Sequence, residues 1–577
     1  MNKWKILDES RSTSNNSGDD EIISIILKNR GIKTKKQIEE FLHPDLSRIN
    51  RKILGINNNG LLKALERIET ALRNSESIVV YTDYDVDGLS SGALLWECLF
   101  SFGAKVMPYV PNRFEEGYGL SEKGILEVKK KYKTSLIITV DHGISAGSKI
   151  AFAKKQGIDV IVIDHHVKPD KTPDLDTLVH TTMVCATALV WYFCEELTNY
   201  LKKSTDLQKG KFFHKKNLDL VALATVCDLI PLIGVNRIFV KLGLVQLRKS
   251  TRVGLNTLIK HAGINKEDID AYDLGHIIGP RINAIGRLTH AIDALRLLCT
   301  KDKIRALALS EKLYTLNKKR QVMTEESVII AKDMADVKSG LLFISHESFQ
   351  SGIIGLIAGR LTQDYNLPSI VIAKGEKISK ASARSVKSID IIAILRNFED
   401  ILIDVGGHPQ AAGFTVETSK IEILRSRLAA FFQNENLFRR TDKNILIDMT
   451  LNLSDITESL YAKMLQLQPF GVANSEPVFL SKNITIAGFT LVGRERNHLK
   501  MKLKISEEKN DLIEAIGFKL GEIAGTFKSD CKIDTVYSLD ENKWNSKTSL
   551  QLHLKDVRIS EVFYEKNTRY HGNPASG

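Results

Sequence analysis

Apolar segments of five or six residues alternate with segments typical of helices from residue 77 onward, and polar residues follow three of them. The three segments are SIVVYT, SLIITV and DVIVI. Short apolar strands separated by helices predict a parallel, doubly wound sheet of the α/β class. The polar residues after them are Asp83, Asp85 and Asp87, then Asp141, and then Asp164, His165 and His166. Because an open parallel sheet binds ligands at the carboxyl ends of its strands, we expect these side chains to surround one crevice.

A further aspartate, Asp228, follows the apolar segment LDLVALATV and joins this acidic set. Carboxylates crowded in this way repel one another unless cations lie between them. Oxygen ligands combined with one or two imidazoles suit Mn²⁺ or Mg²⁺ better than they suit a thiolate-type zinc site. Two such ions about 3.5–4 Å apart can activate water and neutralise both oxygens of a phosphoryl displacement. The residues therefore predict a site for divalent metal ions, of a kind that suits a phosphoryl displacement.

Turn, capping and calcium-loop roles fit the same residues less well. A single aspartate after a strand is usually a turn or helix-capping residue, but four such positions in one chain exceed what capping alone explains. The string DxDxDG also opens a calcium-binding EF-hand loop, but the twelfth loop position is Leu94, where that loop requires Glu. A Walker-type phosphate loop and an HExxH motif are both missing from the sequence. ATP-driven work and zinc-peptidase chemistry therefore lose support.

The rest of the chain predicts further domains. Residues 301–338 contain no Gly or Pro and carry apolar residues at helical spacing, which predicts one long helix, or two in succession, between two lobes. A second α/β pattern follows, with LLFIS and SIVIA as strands. From about Asn444, five or more short strand-like segments with one helix between them predict a small β-barrel.

The balance of charges indicates a polyanionic partner. The chain has 81 Lys and Arg against 69 Asp and Glu, a net charge of +12. Its six cysteines form no CxxC pair, which argues against a zinc ribbon and against a secreted disulfide scaffold. The N-terminus has no apolar signal core, and no apolar run approaches the roughly 18–20 residues that span a bilayer. We therefore expect a cytoplasmic protein with no membrane partner.

Several longer motifs carry a family resemblance. The set TDYDVDG, DHG, DHH and CDLIPL, together with GGHPQAAGF, resembles the DHH phosphoesterase superfamily and its associated DHHA1 domain. The segments PNRFEEGYGL, GPRINAIGRL, SGIIGLIAGRL, ASARS and QPFGVANSEPVF make the chain similar to the RecJ family over residues 70–560. The stretch after DHH, VKPDKTPDLDTLVHTTMVCATALVW, is short and lacks the Asn-Pro and glycine pattern that this family usually shows.

The resemblance implies an α/β architecture with a parallel-sheet DHH domain, a smaller α/β DHHA1 domain joined to it by a long helix, and an OB-like β-barrel. The implied parts are an N-terminal helical segment (1–70), the DHH catalytic domain (71–300), the connecting helix (301–338), the DHHA1 nucleic-acid-binding domain (339–436) and the barrel (440–565).

The resemblance also implies roles for individual residues. The metal ligands for two Mn²⁺ or Mg²⁺ ions would be Asp83, Asp85, Asp87, Asp141, His165 and Asp228, with Asp141 bridging. Asp83 would ligate directly or orient another ligand, and Asp164 would orient the histidines. His166 would act with Asp141 in catalysis by contacting the phosphate or assisting proton transfer. The implied phosphate or nucleic-acid contacts are Arg113, Arg281, Asn283, Ser351, Arg360, Arg384, Ser385, Gly406, Gly407 and His408, with Lys500, Lys502, Lys504 and Phe518 on the barrel.

The implied activity is 5′→3′ exonucleolytic hydrolysis of single-stranded DNA to mononucleotides, in DNA repair and recombination. A single-strand-binding protein and a helicase are the expected partners, and a monomer is the expected state. One alternative is a DHH phosphodiesterase for short RNA or cyclic dinucleotides, which would leave residues 444–560 without a purpose. A second alternative is a non-catalytic DNA-binding replication factor, against which the complete Asp and His set argues.

Overall fold

A computed structural model describes residues 3–8, 18–169, 175–203, 215–435, 444–506, 511–527, 531–544 and 547–560. The described residues form two compact units. The terminal unit lies within Met1–Asp45, Pro231–Ile233 and Asp442–Gly577, and the central unit lies within Leu46–Ile230 and Gly234–Thr441. In the described part of the chain, no helix has both the length and the apolar character needed to cross a membrane.

The N-terminal elements are divided between the two units. β1 (Lys3–Ile6), α1 (Asp19–Asn29) and α2 (Lys35–Leu42) belong to the terminal unit, whereas α3 (Asn58–Arg73) begins the central unit. The N-terminal segment expected over 1–70 is therefore not one body, and it begins with a strand. The reason is packing, because α1 buries Ile22 and Ile26 in the core of the C-terminal barrel.

The first sheet of the central unit is parallel, as the sequence predicts. Its elements are β2 (Ser77–Thr82), α4 (Val86–Ser101), β3 (Lys105–Tyr109), α5 (Glu122–Tyr132), β4 (Leu136–Val140), α6 (Gly147–Lys155), β5 (Asp159–Asp164), β6 (Leu178–His180) and α7 (Ala186–Leu201). The strand order is β3-β2-β4-β5-β6, and all four pairings are parallel. Strands β2, β4 and β5 are neighbours, so their carboxyl ends lie side by side at the point where the strand order reverses.

Helices follow this sheet. They are α8 (Leu218–Cys227), α9 (Gly234–Arg248), α10 (Val253–His261), α11 (Gly279–Leu288), α12 (Ile292–Cys299) and α13 (Lys303–Asp333). A π-helical segment, Asp273–Ile278, leads directly into α11. The predicted connecting helix is confirmed as the single helix α13, 31 residues long. The apolar segment before Asp228 is helix α8, so Asp228 follows a helix and not a strand end.

The second sheet of the central unit is mixed. Its elements are β7 (Leu342–His346), α14 (Ile354–Tyr365), β8 (Ser369–Ala373), β9 (Ile378–Arg384), α15 (Ile391–Arg396), β10 (Leu402–His408), β11 (Ala411–Glu417) and α16 (Ile421–Asn434). The strand order is β10-β11-β9-β8-β7. Helices α15 and α16 pack on one face through a core that includes Ala412, Phe414 and Val416. On the other face, α14 packs on β7 and β8 through Leu342, Ile344 and Val371.

The terminal unit contains the predicted barrel. Its C-terminal elements are β12 (Asn444–Ile447), β13 (Met449–Thr450), α17 (Glu458–Leu465), β14 (Phe479–Val492), β15 (His498–Lys504), β16 (Leu512–Gly517), β17 (Lys532–Trp544) and β18 (Lys547–Ile559). Strand β14 pairs with both β15 and β17, and β16 pairs with β18 in parallel, which closes five strands in the order β14-β15-β16-β18-β17. This is the OB-like arrangement expected from the sequence. Residues 561–565 of the expected barrel lie outside the described residues.

Candidate functional site

The loop after β2 carries three aspartates, and local hydrogen bonds fix how it enters α4. Asp85 is the N-cap of α4, and its Oδ1 accepts hydrogen bonds from the N–H groups of Asp87 and Gly88, each at 3.0 Å. Asp83 and Asp87 are almost fully buried, with exposed fractions of 4% and 2%. A capping role therefore explains Asp85 in part, but it does not explain why the flanking carboxylates are buried as well.

The ends of β4 and β5 place Asp141 beside His165. Asp141 has a φ of 68°, a left-handed conformation that disfavours side chains other than Gly, Asn and Asp. Its Oδ1 lies 3.1 Å from Nε2 of His165. The same Nε2 lies 3.6 Å from Oδ2 of Asp228 and 3.7 Å from Oδ2 of Asp87. One imidazole nitrogen thus faces three carboxylates that come from three separate segments.

Among the described residues, three sets of side chains could each hold a metal ion. Within each set, the possible ligand atoms lie within 4.8 Å of one another. The sets are Asp87, His165 and Asp228; Asp83, Asp85 and Asp141; and Asp141, His165 and His166. Asp141 belongs to two of them. The structure therefore brings together every residue that the sequence resemblance assigned to the metal site.

The electrostatics of the cluster favour cations. Burial raises the pKa of Asp83, Asp85 and Asp141, and repulsion from the neighbouring carboxylates raises it further. The same two causes raise the pKa of Asp228 to about 8. Burial lowers the pKa of His165, so its imidazole is neutral and can offer a lone pair. The buried Oδ1 of Asp83 has no hydrogen-bond partner among the described residues. This donor set fits hard divalent cations.

Asp164 holds the second histidine of the pair. Its Oδ1 lies 2.8 Å from Nδ1 of His166 and accepts from the N–H of His165 at 2.7 Å, while its Oδ2 accepts from the N–H of Ile144 at 2.8 Å. Burial alone would lower the pKa of His166, but the hydrogen bond and charge of Asp164 outweigh it and raise the pKa to about 9. The other ring nitrogen, Nε2, lies 3.3 Å from the hydroxyl of Tyr118. Asp164 therefore favours the protonated form of His166 and fixes its imidazole at the edge of the cluster.

A cavity of about 280 Å³ adjoins this cluster within the central unit. Tyr84 and Tyr118 line the cavity, and both also touch the cluster, because Tyr84 stands between Asp83 and Asp85 and the Tyr118 hydroxyl lies 3.4 Å from the carbonyl oxygen of Asp141. The other lining residues that matter here are Arg113, Arg287, Ser351, Ser382, Arg384 and Gly413.

Three arginines converge on this cavity. The Arg113 guanidinium stacks over the Tyr84 ring at 5.1 Å, and Arg384 donates to the hydroxyl of Ser382 at 3.1 Å. Burial, and then the charges of the neighbouring arginines, lower the pKa of Arg287 to about 10. No ion pair within 4.0 Å joins any of the three to a carboxylate among the described residues, although Asp404 also lines the cavity. Converging guanidinium groups without acidic partners are suited to binding a phosphate.

The second sheet of the central unit contributes Ser382 of β9 and Gly413 of β11 to the same cavity. In the pairing of β10, β11 and β9, Gly406 lies opposite Gly413, and Gly413 lies opposite Ser382. A Cβ built on Gly406 would meet no atom within 4 Å. Gly406 and Gly407, the predicted phosphate contacts, are part of strand β10, and the side of Gly406 where a Cβ would stand is open to a ligand. His408 is exposed at the end of the same strand.

Models of three families match the chain. They are the DHH family N-terminal domain over residues 77–225, the DHHA1 domain over 336–434 and the RecJ OB domain over 447–556. The single-stranded-DNA-specific exonuclease RecJ of Bacillus subtilis (strain 168) is 32% identical over 552 residues, which cover 94% of this chain and 68% of that protein. The chain belongs to the RecJ family.

Solved RecJ structures have the same fold. The crystal structure of RecJ in complex with Mn²⁺ from Thermus thermophilus matches with a TM-score of 0.80 and 26% identity, covering 97% of this chain and 80% of that one. The structure of RecJ in complex with Mg²⁺ from the same organism matches with a TM-score of 0.74 and 26% identity, covering 94% of this chain and 75% of that one. The α/β architecture and the barrel expected from the sequence are confirmed.

Seven of the ten predicted phosphate contacts lie outside the lining of the cavity that contains Arg113, Arg287 and Arg384 (the arginine cavity). Besides Gly406, Gly407 and His408, they are Arg281, Asn283, Arg360 and Ser385. Arg281 donates to the carbonyl oxygen of Ile277 at 2.6 Å, and Asn283 accepts from the N–H of Val86 at 3.0 Å, which fixes the start of α4. Arg360 pairs with Asp364 at 3.3 Å. The buried hydroxyl of Ser385 has no hydrogen-bond partner among the described residues.

Among the lining residues that were not selected from the sequence, Arg287 and Ser382 stand in motifs that had been singled out. Arg287 is the last residue but one of the motif GPRINAIGRL, in which only Arg281 and Asn283 were selected. Ser382 stands in ASARS, in which Arg384 and Ser385 were selected. The motifs thus identified the correct segments of this RecJ-family chain. The sequence did contain a signal that could have identified Arg287 and Ser382, because both residues lie in motifs that had already been singled out.

Proposed function

We propose that this chain hydrolyses single-stranded DNA from its 5′ end and releases mononucleotides, with two divalent cations as cofactors. The observation that carries the proposal is the arginine cavity, which adjoins the carboxylate and histidine cluster through Tyr84 and Tyr118. The names of the relatives, single-stranded-DNA-specific exonucleases, support the substrate class. The structural relatives, solved in complex with Mn²⁺ and with Mg²⁺, support the cofactors.

The cluster supplies the cofactor ligands. Two Mn²⁺ or Mg²⁺ ions would be held by Asp83, Asp85, Asp87, Asp141, His165 and Asp228. When bound, such ions polarise a phosphate and lower the pKa of water, which supplies a nucleophile at neutral pH. Asp141, which belongs to two of the ligand sets, is the residue suited to bind both ions.

His166 supplies a proton donor next to the scissile phosphate. Asp164 keeps its imidazole charged and oriented, so Nε2 carries a proton that it can donate. In the structure this nitrogen faces the hydroxyl of Tyr118, and a phosphate oxygen in the crevice can take that position. We assign His166 to binding a non-bridging oxygen or to protonating the leaving 3′ oxygen.

The arginine cavity explains a preference for a chain end. A terminal 5′ phosphate carries more negative charge than an internal phosphodiester, and Arg113, Arg287 and Arg384 can neutralise it with forked hydrogen bonds. Cleavage would then occur at the cluster beside the cavity, a short distance from the held end. This arrangement favours release of single nucleotides over cleavage within the strand.

The barrel of the terminal unit provides a second surface for the strand. Lys500, Lys502 and Lys504 alternate along β15, so their side chains leave the same face of the barrel. Phe518 is 55% exposed, and its ring contacts the rings of His498 and His553 at 5.2 and 5.3 Å. Basic side chains beside exposed aromatic rings are the features that bind unpaired nucleotides without regard to sequence.

The expected partners follow from the substrate. A helicase generates the single strands on which the proposed activity depends, and a single-strand-binding protein covers them, so both are candidate partners in the cytoplasm. A monomer has all the residues that the proposed chemistry needs, because the cluster and the arginine cavity both lie in the central unit of one chain.

The test is digestion of a single-stranded DNA 30-mer labelled at either its 5′ or its 3′ end, with Mn²⁺, beside matched duplex and RNA. We expect immediate release of labelled mononucleotide from the 5′-labelled strand only, with no release by an Asp141→Ala variant. Turnover of dinucleotides or cyclic dinucleotides with an intact 30-mer would instead favour a small-substrate phosphodiesterase.

A further inference from the structure

Asp87 is anchored by helix α7, which packs against α4 in the central unit. Its Oδ2 accepts a hydrogen bond from the N–H of Ala186 at 2.7 Å, and its Oδ1 accepts from the N–H of Thr187 at 2.8 Å. The hydroxyl of Thr187 lies 2.6 Å from the same Oδ1. Asp87 thus uses both carboxylate oxygens to satisfy the first amides of a 16-residue helix.

The Asp87 carboxylate caps the N-terminus of α7, although Asp87 itself belongs to helix α4. The N-cap residue of α7 is Cys185, whose side chain makes no capping hydrogen bond. The positive end of a helix stabilises a negative charge, so the anchored carboxylate and the helix stabilise each other. Thr187 has no exposed surface, and its hydroxyl lies 3.0 Å from the main-chain oxygen of Asp87 as well. The contact therefore fixes both the side chain and the backbone of Asp87.

The anchored orientation points one oxygen into the cluster. Oδ2 of Asp87 lies 3.7 Å from Nε2 of His165, within the ligand set that also contains Asp228. A carboxylate that is free to rotate about its χ angles would have to be ordered each time a cation binds. The bonds from Thr187 to Oδ1 remove this freedom, because rotation would break a hydroxyl bond and an amide bond together.

We propose that Thr187 is a positioning residue for the metal site, which acts through Asp87 by holding the carboxylate in its ligating orientation. The inference rests on the proposed function, since it concerns affinity for the same cations. It assigns a role to the segment MVCATALVW, the end of the stretch after DHH that lacks the pattern usual in the family, in which no residue was selected from sequence. Outer partners of metal ligands commonly contribute a factor of about 10–100 in metal affinity.

The experiment is a calorimetric titration of the full chain with Mn²⁺, without DNA, for the wild type and a Thr187→Val variant. Valine keeps the shape of threonine and removes only the hydroxyl. We expect the variant to bind Mn²⁺ at least about 10-fold more weakly, and Thr187→Ser to restore binding. Thr187→Ala provides a second hydroxyl-free variant if the valine variant does not fold.

Thr198→Val is the matched control. Thr198 lies on the same helix, is buried, and donates its hydroxyl bond to the carbonyl oxygen of Cys194 at 2.7 Å, with no metal ligand involved. Its loss should lower the thermal stability of the metal-free protein but leave the Mn²⁺ affinity within about twofold of the wild type.

Equal Mn²⁺ affinities for wild type, Thr187→Val and Thr187→Ala would overturn the inference and leave the proposed function standing. A loss of affinity in Thr198→Val as large as that in Thr187→Val would overturn it too, because general destabilisation would then explain both. No Mn²⁺ binding by the wild type would remove the basis of the proposed function itself.

Discussion

The Nε2 atom of His165 lies 3.1 Å from Oδ1 of Asp141, although the two residues are 24 positions apart in the sequence. The register of the parallel sheet causes this proximity, since Val140 of β4 pairs with Ile163 of β5 and the chain leaves both strands at the same edge. Burial keeps the His165 imidazole neutral, and Asp164 keeps the adjacent His166 charged. Two consecutive histidines thus have different protonation states.

This difference predicts separable effects of two substitutions. His165→Ala removes a ligand shared by two of the sets, so we expect both Mn²⁺ binding and hydrolysis to be lost. His166→Ala removes a proton donor, so we expect the single-turnover rate to fall about 10²–10⁴-fold with Mn²⁺ affinity largely kept. Calorimetry and single-turnover digestion of the same preparations check both results. Equal loss of Mn²⁺ affinity in the two variants would contradict the division of roles.

The raised carboxylate pKa values predict how pH affects the metal-free protein. An unfolded aspartate titrates near 3.9, whereas Asp228 in the folded chain has a pKa of about 8. Between these values Asp228 binds more protons in the folded state than in the unfolded state, so its contribution to stability is greatest at low pH and falls as the pH rises towards 8. We expect the Tm of the metal-free protein to fall between pH 5 and pH 8.

Added Mn²⁺ should reverse that loss, because cations replace the protons. The Tm increase on adding Mn²⁺ should be larger at pH 8 than at pH 5, by roughly 3 °C, which is the shift expected from about 1 kcal/mol in domains of roughly 150–250 residues. Asp228→Asn should reduce the pH slope of the metal-free protein. Differential scanning calorimetry measures all of these values. A metal-free Tm that rises from pH 5 to pH 8 would contradict the argument.

The arginine cavity predicts a dependence on the 5′ phosphate. Arg287→Gln should lower kcat/KM on a 5′-phosphorylated strand about 10–100-fold, since a charge-assisted hydrogen bond contributes about 1.5–3 kcal/mol. On a 5′-hydroxyl strand the loss should be much smaller. Arg287→Lys should restore the activity only in part, because an ammonium group lacks the fork of guanidinium.

Arg360→Gln is the comparison for Arg287→Gln. Arg360 is half-exposed and pairs with Asp364, outside the cavity lining. We expect this variant to keep the wild-type ratio of kcat/KM values on phosphorylated and unphosphorylated strands. If Arg360→Gln and Arg287→Gln reduced that ratio equally, the cavity would not be the site of the terminal phosphate.

Most of the metal site could be predicted from sequence because strand ends in a parallel sheet are fixed by short-range patterns. The positions of Asp83, Asp141 and His165 depend only on where three apolar segments stop. Asp228 is marked by its neighbours CDLIPL, although the segment before it is a helix and does not belong to the strand pattern. A short run rich in Leu, Val and Ala is compatible with either element, and packing decides between them.

Residues on helices were harder to select. Arg281 and Arg287 both lie on α11, six residues apart, so their side chains leave the helix in directions that differ by about 120°. Only Arg287 faces the cavity, and the sequence does not indicate which direction that is. The same reasoning applies to α1, whose apolar face is compatible with packing on either unit, whereas the structure places Ile22 and Ile26 in the barrel core.

The paired glycines of the second sheet give the last prediction. A Cβ on Gly406 would meet no protein atom, so Gly406→Ala should fold with the wild-type Tm. The added methyl group would stand on the open sheet face beside the arginine cavity, so we expect a raised KM for single-stranded DNA with little change in kcat.

Gly407→Ala should have a different effect, because it should lower the thermal stability of the protein. Gly407 has a φ of 145°, and its Cβ would lie 2.3 Å from the carbonyl oxygen of Ala411, so this variant should lose stability first. Thermal unfolding and steady-state digestion of both variants distinguish the two effects. An unchanged KM for Gly406→Ala would show that single-stranded DNA does not approach this surface.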